Sequence, residues 1–289
     1  MCFKIRRGSP ERKRSWTKKQ AAILRLHGMS FPQLLSSCFA VAALGLSPLL
    51  ADAPNQLSAE EKAQGFQLLF DGQSFTGWEH KGNWVIQDGA LDCPKRGGDI
   101  TYTVAKVPDD FELRFEWKAS KGCNSGVYYR PGQYEYQVLD NANSDYGKNP
   151  RSTAASLYFC MAPSRDNARP HDVWNEGRIV CKGTVIQHWL NGEAVVDFDY
   201  TDPRWAREIE VLRIRGGDLN KRGAFLRLQD HGQPVAYRSL RLRTIPAGEK
   251  LVPSPEFKPQ PMTPEALEIE AKRIEQLLHP KPAKKKKAS

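Results

Sequence analysis

The sequence predicts an all-β fold, a sandwich or jelly roll of antiparallel strands, followed by a short C-terminal helix. Three observations carry that prediction. Between 65 and 245, about ten short runs rich in Val, Ile, Tyr, Phe and Trp recur, separated by Gly, Pro, Asn and Asp. Pairs such as Asp88-Gly89 and Asn191-Gly192 stand between such runs, where two-residue hairpin turns need residues that tolerate positive φ. No run of helical period alternates with the strands, so a parallel sheet is not expected, and no internal repeat is present.

The elements follow in order. Ser58-Ala59-Glu60-Glu61 has the form of a capping box and predicts a short helix. Trp84-Val85-Ile86-Gln87, Asp88-Gly89 and Ala90-Leu91-Asp92 read as a hairpin. Phe111-Glu112-Leu113-Arg114-Phe115-Glu116-Trp117-Lys118 alternates without a fault, which predicts a strand with one buried and one solvated face. Segments 178–180, 185–190 and 194–198, joined by Lys182-Gly183 and Asn191-Gly192, read as a meander. Segments 225–229 and 235–242 bracket Asp230-His231-Gly232-Gln233 and read as a last hairpin. Residues 141–172 are long and poor in strand pattern, the kind of loop that commonly carries function on a compact β scaffold. After a Pro-rich linker, Thr263-Pro264-Glu265-Ala266-Leu267 starts a charged amphipathic helix that Pro280 ends.

Charge and leader set the context. The net charge is +10 over 289 residues, and 40% of the residues are hydrophobic, enough for a core. Nine basic residues against Glu11 before position 29, and five lysines from 281 onward, leave −3 for everything between. A basic nucleic-acid-binding face is therefore not expected. The apolar run Cys38 to Leu46 is followed by Ala51-Asp52-Ala53, the small-x-small form of a signal-peptidase site. It is too short for a stable membrane span, and Met29 would start a leader of ordinary length. The expected organisation is a signal region over 1–53, a lead over 54–64, one β domain over 65–246, and a linker, helix and lysine tail over 247–289. Export to the periplasm or beyond permits disulfides among Cys93, Cys123, Cys160 and Cys181, with three pairings open and free buried thiols as the plain alternative. Their dispersed spacing does not suggest zinc.

The stretch richest in chemistry runs from Asn124-Ser125-Gly126 through Arg130 to Tyr134-Glu135-Tyr136-Gln137-Val138-Leu139-Asp140-Asn141. Glu135 and Gln137 share one face of a strand while Tyr134, Tyr136 and Val138 share the other. Burying Glu and Gln without partners is costly, so this face is either solvated, paired with Arg130, or a polar site. Trp174-Asn175, just after the long loop, adds a ring for stacking on a sugar and an amide for its hydroxyls. His188 reads as structural, whereas His171 and His231 lie in loops. No Gly-x-Ser-x-Gly, Walker A, Gly-x-Gly-x-x-Gly or His-Glu-x-x-His motif is present.

The ordered set Leu69-Phe70-Asp71-Gly72, Gly77-Trp78, Asn124-Ser125-Gly126 with Arg130, Glu135-x-Gln137-x-x-Asp140-Asn141, Trp174-Asn175, Leu190-Asn191-Gly192 and Leu228-Gln229-Asp230-His231-Gly232 resembles the DUF1080 family, the 3-keto-disaccharide hydrolase domain. The resemblance runs from about 66 to 242. It implies a concanavalin-A-like jelly roll of two antiparallel sheets, export from bacteria, and action on oxidised glycosides. A ketone at carbon 3 acidifies the hydrogen on carbon 2. A base removes it, the aglycone leaves carbon 1, and water adds back. By this resemblance Glu135 or Asp140 is the base, and Arg130 and Gln137 are oxygen-binding donors. Asn124, Tyr158, Trp174 and Asn175 hold the sugar. A hydrogen-bond donor or a divalent metal would hold the enolate oxygen. The family pattern before Leu157-Tyr158 often reads Thr-Gly-Ala with an upstream His. Here Arg151-Ser152-Thr153-Ala154-Ala155-Ser156 departs from it, so no histidine role carries over to this loop.

Two other functions fit the same residues. A retaining glucanase would use Glu135 and Asp140 as a carboxylate pair about 5–5.5 Å apart. A carbohydrate-binding module would bind sugar on this fold without turning it over.

Overall fold

The computed structural model describes residues 53–280. The region read as an export leader, apart from Ala53, and the lysine tail lie outside the described residues. In chain order the strands are β1 (Gln67–Leu68), β2 (Trp78–Glu79), β3 (Val85–Gln87), β4 (Ala90–Cys93), β5 (Ile100–Lys106), β6 (Phe111–Ala119) and β7 (Asn124–Arg130). They continue with β8 (Tyr134–Leu139), β9 (Asn175–Lys182), β10 (Val185–Leu190), β11 (Glu193–Asp199), β12 (Phe225–Leu228) and β13 (Val235–Thr244). Among the described residues three α-helices accompany them: α1 (Ala59–Ala63), α2 (Ala206–Ile214) and α3 (Pro264–Leu278).

The strands form two antiparallel sheets, as the sequence predicts. One runs β11-β10-β9-β6-β13-β4-β3, with β1 also on β13; the other runs β2-β5-β12-β7-β8. Between them Phe111, Leu113, Phe115 and Trp117 from β6 meet Tyr129, Tyr134, Tyr136 and Val138 from β7 and β8 in one continuous core. The β3–β4 hairpin turns with φ of 51° at Asp88 and 71° at Gly89, the positive pair its sequence calls for. At the N-terminus, Ser58 and Glu61 make both bonds of the capping box.

Three expectations are corrected. Segments 225–229 and 235–242 are not a hairpin: β12 belongs to the five-stranded sheet and β13 to the eight-stranded one. The connecting turn crosses between layers because Asp230 Oδ2 is held by the backbone N–H groups of Gly97 and Gly98 at 2.6 and 2.8 Å. The outer face of β6 is not simply wet. Glu112 is fully buried there, ion-paired with Arg114, Arg178 and Arg243 at 2.7–2.8 Å. Helix α2 was not foreseen, because its nine residues interleave apolar and charged side chains and only Val211 and Leu212 are buried.

The loop 141–172 lies along the open edge of β8. Gln137 N–H donates to the Ser156 carbonyl, Ala155 N–H to Gln137, and Tyr158 N–H to Glu135, at 3.2, 2.8 and 3.0 Å. This edge is therefore covered, which satisfies backbone groups that an end strand leaves open. Cys93, Cys123, Cys160 and Cys181 are all buried and free. No helix among the described residues is long and apolar enough to cross a membrane.

Candidate functional site

The site is built on the paired strands β7 and β8. Their register sets Tyr128 opposite Glu135 and Gly126 opposite Gln137, with these residues facing away from the core. A Cβ on Gly126 would collide with the Glu135 carboxylate, so the missing side chain there is what lets the carboxylate lie across β7. Tyr128 donates its hydroxyl to Glu135 Oε2 at 2.7 Å. The Arg215 guanidinium stands 4.0 Å from the same oxygen. Glu135 is 2% exposed, and burial pushes its carboxyl up to about 7 despite the opposing pull of Arg215 and Tyr128. Tyr128 is held above the ordinary phenol range by burial and by the neighbouring carboxylate, so it stays a proton donor. The Arg227 guanidinium packs 4.0 Å above the Tyr128 ring and pairs with Asp99.

Beside this cluster lies a cavity of about 510 Å³. Its wall includes Tyr146, Asn149, Ser152 and Tyr158 from the long loop and Ile269 and Arg273 from α3. Two wall residues tie it to the strand: Ser152 accepts from Gln137 Nε2 at 3.1 Å, and Tyr158 donates its backbone N–H to Glu135. Arg215 completes the join. It stacks 4.2 Å from the Tyr158 ring and donates to the Tyr158 carbonyl and to Gln133 Oε1, each at 3.0 Å. Gln137 Oε1 is buried with no partner among the described residues, an acceptor left over beside Ser152 of the cavity wall.

Of the residues singled out in the sequence, the structure brings Glu135, Gln137 and Tyr158 together. Asn124 lies on the same face, at the start of β7 opposite Leu139. Arg130 is a correction. A β-bulge after Tyr128 sets it opposite Tyr134, and its side chain packs over that ring, donating to the Asp109 carbonyl at 3.3 Å. Asp140 lies past the end of β8, where Oδ2 accepts from Gly122 N–H and Asn143 Nδ2, both at 2.8 Å. It braces a turn, with the His171 ring 3.8 Å away.

Trp174 and Asn175 are corrections of place as well. Trp174 packs under Arg238, 4.1 Å from its ring, over the outer face of the eight-stranded sheet. Asn175 is buried and accepts from Arg169 N–H and Asn191 Nδ2 at 2.8 and 2.9 Å, fastening a loop. His188 is structural as expected: it joins Tyr129 and the Ala155 carbonyl, and burial lowers it to about 4. His231 stands edge-on to Tyr146 of the cavity wall, with ring centres 6.0 Å apart.

Sequence reasoning missed Tyr128, Arg215 and Arg227. Tyr128 was legible, since it shares the parity of Gly126 opposite a predicted partner strand. Arg215 follows α2, whose acidic start and basic end at Glu208 and Arg213 were a weak signal. Among the described residues no group of three His, Cys, Asp or Glu side chains gathers where a metal ion could be held.

Residues 65–243 match the family described as the 3-keto-alpha-glucoside-1,2-lyase-like domain. A protein of Bacteroides thetaiotaomicron named 3-keto-disaccharide hydrolase is 31% identical, aligned over 68% of this chain and 84% of its own. The crystal structure of a candidate glycosyl hydrolase from Parabacteroides distasonis shares 25% identity with a TM-score of 0.57, covering 67% of this chain and 100% of that one. A second structure from that organism, at 21% identity and a TM-score of 0.50, shares the fold.

Proposed function

This chain belongs to the family of 3-keto-alpha-glucoside-1,2-lyase-like domains, and on that premise we propose that it is a carbohydrate-active hydrolase that cleaves 3-keto-glycosides by elimination and hydration. One observation carries the reading: a buried carboxyl poised at about 7, with a phenol and a guanidinium on it, behind the wall of a cavity of about 510 Å³. Such a carboxyl is half ionised at neutral pH, where a general base works best.

In the proposed reaction Glu135 takes the proton from carbon 2 of the 3-keto sugar. The electron pair moves into the enolate, whose oxygen is stabilised by Arg215 rather than by Arg130, and the carbon 1–oxygen bond then breaks. The departing oxygen takes a proton from solvent, which the water that next adds at carbon 1 gives back. Water adds to carbon 1, and Glu135 returns its proton to carbon 2, so the net change is hydrolysis. Tyr128 holds Glu135 Oε2 throughout and leaves Oε1, which lies over Gly126, to take the proton. The Ala51-Asp52-Ala53 site supports action outside the cytoplasm as part of the same proposal.

The test is a panel of 3-keto-glucosides beside their unoxidised parents, with and without divalent metal, scored for released aglycone. Release from the 3-keto forms alone is expected. Release from the parents would indicate a retaining glycosidase, and binding without release a binding module. Gly126→Ala is expected to lower kcat on the 3-keto substrate by up to about 10²-fold, because the added methyl displaces the carboxylate by ångströms. Its far-ultraviolet circular dichroism should match the wild type, and full activity in this variant would place the base elsewhere.

A further inference from the structure

Helix α3 lies outside the matched family domain, which ends at 243, yet it supplies one wall of the cavity. Glu265, Ile269 and Arg273 recur every four residues and so form one stripe of the helix, which lines the cavity together with Tyr146, Tyr158 and Phe159. The adjoining stripe, Ala266 and Glu270, is fully buried and anchors the helix. Arg151 Nη1 donates to Glu270 and Nη2 donates to Glu208 of α2, each at 2.6 Å. Arg151 thus fastens the long loop to both α2 and α3. Ile269 and Tyr146 both line the cavity and remain 38% and 41% exposed, apolar surface left open.

We propose that α3 forms the leaving-group subsite of the enzyme, taking an aglycone that is ring-shaped, apolar on its faces and hydroxylated at its rim. The aromatic rings and Ile269 cover the faces. Glu265 and Arg273 of the helix, with Asp145 and Lys148 of the loop, offer acceptors and donors to the hydroxyls. About 510 Å³ lies within the range of roughly 300–1,000 Å³ that ligand pockets span. A second sugar and a hydroxylated aryl group both have this chemistry, and the experiment separates them. The subsite rests on the glycoside-cleaving reading above.

The test compares the wild-type chain with Ile269→Ala, Arg273→Ala and Leu267→Ala on 3-keto forms of a methyl glucoside, a 4-nitrophenyl glucoside and a glucosyl-glucose disaccharide. All three positions are exposed, so the variants should fold. Loss of the Ile269 or Arg273 contact is expected to raise KM about tenfold for the aryl glucoside, the disaccharide or both, according to which ring the subsite takes. The methyl glucoside should change less than twofold, and Leu267→Ala should leave all three unchanged. Equal shifts for all three substrates, or none, would overturn the subsite. If the wild type turns over none of them, the cleavage reading fails, and calorimetry with unoxidised 4-nitrophenyl glucoside and disaccharide decides the subsite alone. Binding that Ile269→Ala abolishes upholds it, and binding that is absent or unaffected refutes it.

Discussion

Glu135→Gln is expected to lower kcat/KM on a 3-keto-glucoside by about 10²- to 10⁴-fold, the usual worth of a positioned base. The amide can still accept from Tyr128, so the loss isolates the proton transfer from the packing. Below saturation, the wild-type rate should rise with pH through about 7, as the carboxyl ionises, and this limb should vanish from the variant's residual rate.

Stability should run the other way. The folded protein raises this carboxyl from 4.5 to about 7, so the folded state binds its proton more tightly. That contribution is fully present below about 4.5 and is lost as pH rises through about 7. Over this window it amounts to about 3 kcal/mol, at 1.36 kcal/mol per unit. Urea unfolding at pH 4.5 and pH 8 measures it: the wild type should lose more stability across that interval than Glu135→Gln does. Parallel curves would mean that the carboxyl is not perturbed.

Arg151→Met is expected to destabilise the fold by about 3 kcal/mol, near the lower end of what breaking a buried ion pair costs. The variant strands Glu270, whose side chain is fully buried, and removes the partner of Glu208. Arg207, 65% exposed and 3.1 Å from Glu270, compensates in part, which is why the lower end applies. The double variant Arg151→Met with Glu270→Leu should recover part of the loss, since the fully buried carboxylate is gone and only the partly exposed Glu208 is left without its partner. Urea midpoints for the two variants measure both effects. A wild-type midpoint for Arg151→Met alone would show that the pair contributes nothing.

The local patterns in the sequence were sufficient for several elements. Alternation over 111–118 determined β6 and its core face, and Asp88-Gly89 determined the first hairpin. The period of two on β8 determined that Glu135 and Gln137 share a face opposite Tyr134 and Tyr136. The ordered motifs determined the family. Only the tertiary structure decided that Arg130 leaves this face, because a bulge is a choice of register between two strands and not a property of either. It also decided that β12 and β13 part company, through Asp230 binding backbone more than 130 residues away. Trp174 went to the opposite sheet, and Arg215 and α3 came to the site, by the same kind of contact. Side-chain period is written within a few residues of chain, whereas the company a side chain keeps depends on contacts among segments far apart in sequence, which no short pattern encodes.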